Sequence, residues 1–259
     1  MDLNDIKRFS GEKQVSLGII EKDYVLSLAL VQLSHSELQN HVVFKGGTAI
    51  KKMYFPDARF SVDLDFNFTE VSIGKIKKEL VTLLSLDLFD TVHFVKLKGE
   101  FQSKKNDVYR CMIEYTGPLK HHVYQSVRLD FSKRGSSVGT VQKRPILDTY
   151  GEETTGITIP TMDITEMFAE KCRALFTRKE QKSKDLFDLY FLINKDVVIK
   201  KGLINEKFLG YKEQFILDEF IRIGQEIEGV WKRDIQDLLP RDDIPPFNDV
   251  ISLLRAKLF

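Results

Sequence analysis

Cysteine is almost absent from this chain of 259 residues: Cys111 and Cys172 are the only two, and neither lies in a metal-like pair. That count argues against a disulfide framework and a zinc site, and it suits a reducing compartment. Long hydrophobic runs are also lacking. No stretch reaches the roughly 20 consecutive apolar residues that a membrane-spanning helix needs, and the first residues, MDLNDIKRFS, are charged where a signal peptide carries an apolar core. The expectation is a soluble, cytoplasmic protein with no membrane partner. Charge of one sign is missing too, since 39 basic against 38 acidic residues leave a net charge of +1. Any contact with nucleic acid must therefore come from a local basic face. Finally, no glycine-rich loop ends in GK[ST], which excludes a Walker-type phosphate cradle.

What the chain does have is concentrated between Val42 and Phe68, VVFKGGTAIKKMYFPDARFSVDLDFNF. A short apolar run meets Lys45, Gly46, Gly47 and Thr48, a helix-like segment continues through Met53, and an alternating strand follows from Ser61 to Phe66. The glycines would let backbone approach a triphosphate, with Thr48 and the following helix amides donating to anionic oxygens and Lys45 adding positive charge. Taken alone, this is equally an ordinary strand-to-helix turn. The strand is more informative. Alternation puts Ser61, Asp63 and Asp65 on one face and Val62, Leu64 and Phe66 on the other. Two carboxylates on adjacent same-side positions repel unless a cation sits between them, and oxygen donors at that spacing suit magnesium. The competing reading is a solvated face of an amphipathic strand.

Around this stretch, residues up to about Leu38 read as helix, with Leu17, Ile20, Tyr24, Leu28 and Val31 at helical spacing and Glu21-Lys22-Asp23 as a solvated charged face, the alternative being that Lys22 or Asp23 reaches the mouth of the site. Ser72 to Leu86 reads as an amphipathic helix capped by Ser72, with Lys75, Lys77 and Lys78 in solvent. Three strands are expected near Thr91 to Lys98, Asp107 to Tyr115 and Val123 to Lys133, the last placing Arg128, Asp130 and Ser132 on one face. Gly135 to Pro160 reads as loops with brief extended segments, ending a first domain at residues 1–160. From Thr161 the chain turns helical, in a second domain at 161–259. Asp163 caps a helix over Ile164 to Thr177, and Leu186, Leu189, Tyr190 and Ile193 mark another over Ser183 to Ile193. Beyond Asn205 come short helices with no chemistry of their own, where Lys232, Arg233 and Arg241 read as solvated charge.

Two motifs together resemble a known family. FKGGTAIKKMY followed by RFSVDLDF, and then EMFAEKCRALFTR with SKDLFDLYFL, are similar to the signatures of the AbiEii/AbiGii-type toxins, nucleotidyltransferases of the DNA polymerase β superfamily that include the MenT-type toxins. EKDYVLS, from Glu21 to Ser27, resembles the family's N-terminal segment. Val62 stands where an acidic residue is commoner, and Lys184 and Phe187 replace the commoner arginine and tyrosine. Two motifs in the expected order and far apart are much harder to meet by chance than one.

The resemblance implies an α/β (α+β) fold, a polymerase β-like core with a mixed sheet followed by a helical bundle that completes the active-site cleft. It implies Asp63, Asp65 and Asp130 as ligands of two Mg²⁺ ions, with Mn²⁺ able to substitute, and Asp130 as base for the attacking hydroxyl. It carries over Lys45, Gly46, Gly47, Thr48, Arg59 and Ser61 to nucleotide binding. Lys171 would hold the triphosphate, and Asp185 and Asp188 would orient it. The reaction implied is transfer of a nucleoside monophosphate from an NTP to the 3′ end of tRNA by a toxin restrained by a cognate antitoxin. Small-molecule or protein nucleotidyltransfer, and a non-catalytic nucleotide-binding module, are the alternatives. The residues themselves do not select among acceptors.

Overall fold

The computed structural model describes residues 1–133, 139–147, 150–180, 182–240 and 243–258, so Arg241 lies outside the described residues. The chain divides into two compact units, Met1–Met162 and Asp163–Phe259.

The first unit opens with α1 (Leu3–Lys13), capped by the Asp2 carboxylate, and α2 (Leu17–Ser34), capped by Ser16. The single N-terminal helix expected from periodicity is thus two helices, because Gln14 turns left-handed (φ 52°) and Ser16 offers its hydroxyl to the amide of Ile19. Helix α2 is buried on most sides, Val25, Leu26 and Leu30 as well as Ile20, Tyr24 and Leu28. It therefore runs through the interior rather than along the surface. A 3₁₀ turn (Glu37–His41) leads into β1 (Val42–Lys45), and α3 (Gly46–Ala49) follows. That helix continues as a wider π-type turn over Ile50–Tyr54, closed by the Phe55 amide on the Ile50 carbonyl at 2.9 Å.

After β2 (Asp63–Phe68) come α4 (Ile73–Leu84), β3 (His93–Gln102), β4 (Val108–Thr116), β5 (Gln125–Ser132), β6 (Gln142–Pro145) and β7 (Thr158–Thr161). The sheet order is β3-β4-β5-β2-β1-β7-β6. It is mixed: β2 runs parallel to β5 and β1 parallel to β7, and the other neighbouring pairs are antiparallel. One face is apolar. Leu64 and Phe66 of β2 and Leu129 of β5 lie with Ile113 against Ala29 and Leu33 of α2 and Leu80 and Leu83 of α4. The Phe66 ring stacks on Phe131 and tilts against Phe44, each at 5.2 Å between centroids. Because strand side chains alternate, filling this face with Leu and Phe turns Asp63, Asp65 and Asp130 to the other one.

The second unit is helical: α5 (Ile164–Thr177), α6 (Lys182–Asn194), α7 (Lys201–Leu209), α8 (Leu217–Gln225), α9 (Trp231–Ile235) and α10 (Phe247–Leu258). Asp163 caps α5 by accepting from the Thr165 amide. Phe168, Leu186, Leu189, Phe208, Phe220 and Leu254 are buried in its core.

Candidate active site

The glycine pair sits where the chain has little room. Gly46 has φ +84°, and a Cβ built on it would stand 2.5 Å from the Asp65 Oδ2. A Cβ on Gly47 would stand 2.8 Å from an Arg59 nitrogen and 3.3 Å from the Ser61 hydroxyl. A side chain at either position would have to displace these groups, and Gly46 is favoured also for its backbone angle. The turn brings Gly46 onto a carboxylate and Gly47 onto Arg59 and Ser61, all in the sequence-derived site. Thr48 is buried, and its hydroxyl donates to the Asp63 carbonyl at 2.5 Å, so it fixes the start of β2. Arg59 is buried as well, with Nη1 donating to the Phe60 carbonyl at 3.0 Å.

Strand register sets the three carboxylates on neighbouring positions of β2 and β5. Asp65 is paired with Lys45 on one side and with Asp130 on the other, and Asp63 is paired with Arg128. Arg128 Nη2 donates to Asp63 Oδ2 at 2.6 Å, and Arg128 Nε lies 3.0 Å from Asp130 Oδ2. Arg110, opposite Asp130 on β4, donates from Nε to Asp130 Oδ1. Positive charge is thus supplied to the acidic face by two arginines. Asp63, Asp65 and Asp130 offer the hard oxygen donors that a divalent cation takes, so the residues fit one in type. Among the described residues no group of three or more His, Cys, Asp or Glu side chains converges as a ready metal cage.

The helical unit carries its own ionic cluster. Lys171 on α5 is nearly buried, and its Nζ lies 2.9 Å from Asp185 Oδ1 and 2.7 Å from Asp188 Oδ2. The two aspartates are one helical turn apart on α6 and share that face, so both meet the same ammonium. Arg178 holds the other Asp185 oxygen at 3.1 Å. Phe187, between them in sequence, is buried with its ring 6.3 Å from Trp231, a place that has no use for a hydroxyl.

The family model for "Nucleotidyl transferase AbiEii toxin, Type IV TA system" matches residues 28–252. The chain belongs to the AbiEii nucleotidyltransferase toxin family. The AbiEii match spans both units and includes every candidate site residue. Two solved structures share the fold. MenT4, a nucleotidyltransferase toxin from Mycobacterium tuberculosis H37Rv, superposes with TM-score 0.61 at 17% identity over 97% of this chain and 86% of its own. A candidate nucleotidyltransferase from H. pylori gives TM-score 0.56 at 20% identity, over 90% of each chain. A comparison with curated proteins found no match.

Three features of this AbiEii chain escaped the sequence reading. Glu21 and Asp23 are not a solvated face: each is about 1% exposed. Asp23 pairs with Lys52 at 3.1 Å and accepts from the Tyr150 hydroxyl at 2.6 Å, while Lys52 donates to Ser27 at 2.7 Å. Glu21 accepts from the Leu119 amide at 2.7 Å and meets His121 at 3.2 Å. Burial forces such charges into partnerships, and here the partners tie α2 to the turn after α3 and to the loop before β5. Second, Lys207 is buried against Glu166 at 2.6 Å and Glu170 at 3.1 Å, in a region read as carrying no chemistry. The i,i+4 spacing of Glu166 and Glu170 was the available signal. Third, Arg128 and Arg110 neutralise the carboxylates. Alternation had already placed Arg128 beside Asp130.

Proposed function

We propose that this nucleotidyltransferase transfers a nucleoside monophosphate from an NTP to the 3′ end of tRNA, with Mg²⁺ held by Asp63, Asp65 and Asp130. The observation that supports the cation site is the register of β2 against β5, which puts Asp130 opposite Asp65 beside Gly46, while the tRNA acceptor is proposed from the family resemblance. Nucleotidyltransferases of this family use an NTP and a divalent metal ion. When bound, such an ion supplies charge stabilisation for the attacking and leaving oxygens of an in-line displacement. The protein's own work is placement and charge. Gly46 and Gly47 keep the turn close to the carboxylates, Lys45 lies opposite Asp65 to favour an anionic substrate, and Asp130 is assigned the proton of the attacking hydroxyl.

Lys171 is assigned to the triphosphate by the family resemblance. Its ammonium is already fixed by Asp185 and Asp188, which would preserve its position as pyrophosphate charge develops. As a member of a type IV toxin–antitoxin family, the chain is proposed to act in the cytoplasm and to be restrained by an antitoxin. No helix among the described residues is long and apolar enough to cross a membrane. Incubation with each labelled triphosphate, Mg²⁺ and separated acceptor classes tests the reading. Label should enter total tRNA with the wild type and fail to enter with Asp65→Ala. Equal labelling by the variant, or transfer only to protein or small molecules, overturns the assignment.

A further inference from the structure

Arg128 is placed to do something that the proposed metal chemistry does not require of it. It lies on β5 opposite Asp63, two residues before Asp130, so strand alternation puts its side chain on the carboxylate face. Its guanidinium bridges neighbouring strands, with Nη2 2.6 Å from Asp63 Oδ2 and Nε 3.0 Å from Asp130 Oδ2. Arg110 meets the other Asp130 oxygen, while Met112 occupies the β4 position opposite Arg128. The surroundings of Arg128 on the flanking strands are therefore two carboxylates, one further arginine and one neutral side chain.

A positive group between two carboxylates offsets their repulsion, which is also what a divalent ion between them would do. The two cannot occupy Asp63 Oδ2 together, because a guanidinium against that oxygen repels an incoming cation and blocks its lone pairs. The seat of Arg128 is also incomplete. Its Nε is buried yet has no aligned hydrogen-bond partner among the described residues, while its side chain keeps 29% exposure. An under-satisfied guanidinium with a path to solvent can be drawn off by a stronger anion, and phosphate oxygens are such an anion for arginine.

We propose that Arg128 is a gate on the cation site. In the nucleotide-free protein it stands in for the metal, and it is released from Asp63 when the triphosphate takes its guanidinium, so metal and nucleotide load together. This rests on the reading of Asp63, Asp65 and Asp130 as cation ligands.

The test is Mn²⁺ binding to the full-length protein, followed through the spectrum of free Mn²⁺ with and without a non-hydrolysable triphosphate. Without nucleotide, Arg128→Gln should bind Mn²⁺ at least about tenfold more tightly than wild type, because a like charge has been removed from the ligand oxygens. The triphosphate should tighten binding far more in wild type than in the variant. Arg110→Gln, which removes a charge from Asp130 but leaves the Arg128–Asp63 contact in place, should gain clearly less than Arg128→Gln. Equal nucleotide-free affinities for wild type and Arg128→Gln overturn the gate, as does an equal gain in Arg110→Gln, which would make the effect one of bulk charge. Should Arg128→Gln unfold in EDTA, Arg128→Met supplies the same comparison, with both the charge and the bridge removed. Mn²⁺ bound by no variant under any condition overturns the cation site, and the gate with it.

Discussion

At the scale of the residue, Gly46 and Lys51 show how much can rest on one side chain. Replacing Gly46 by alanine forces a left-handed angle on an L-residue, a cost of about 1–2 kcal/mol, and drives the new methyl into the Asp65 carboxylate. Gly46→Ala should therefore lower the urea midpoint by an amount of that order and reduce nucleotidyl transfer more than its stability loss explains. Gly156 also has a positive φ but nothing within 4 Å of its would-be Cβ, so Gly156→Ala should change stability without touching transfer. Lys51 gives a pH signature. Burial beside Phe60 pushes its ammonium down from 10.5 to about 8, although it donates hydrogen bonds to the Pro56 and Ala58 carbonyls. Between those two values the unfolded chain binds the proton more readily than the folded one, so this group's contribution to stability rises as pH climbs from about 8 toward 10.5. Thermal unfolding from pH 7 upward should show that upward component in wild type and lose it in Lys51→Met.

Among the elements, the link between α2 and the turn after α3 is costly to lose. Asp23 and Lys52 are each about 1% exposed. Removing one partner strands a buried charge, typically a loss of about 3–5 kcal/mol. Asp23→Ala and Lys52→Met should each destabilise by that order in urea titrations, and the double variant by clearly less than the sum. Here the limits of reading the sequence are clearest. The α5 helix was legible to the residue because Asp163 caps it and an apolar stripe fills it, and the carboxylate strands were legible because alternation separates Asp from Leu and Phe. The break at Gln14 was not, since no glycine or proline marks it. Nor was the burial of Glu21 and Asp23, because a charged triplet on a helix reads as solvent-facing until its partners, 29 to 127 positions away, are known. Arg128 was seen on the right face, but only register reveals that its partner is Asp63.

For the whole molecule, the two units have separate cores and separate buried ion clusters. Lys207 is shared by Glu166 and Glu170 wholly within Asp163–Phe259. Lys207→Met should therefore speed amide hydrogen exchange in α5 and α7 and leave β2 and β5 at wild-type protection, while Asp23→Ala should do the reverse. Acceleration spread evenly over both units would count against independent cores.

The pairing of β2 with β5 also sets a schedule for synthesis. Asp63 and Asp65 leave the ribosome some 65 residues before Asp130, and β1 waits still longer for β7. Contacts so far apart in sequence form late and slowly. A nascent chain stalled between Phe68 and Arg128 therefore carries Asp63 and Asp65 on a strand that lacks its β5 partner, with neither Arg128 nor Asp130 beside them. A truncated product of that kind should be inert. For a protein of a toxin family, harm then begins only after β5 has been made.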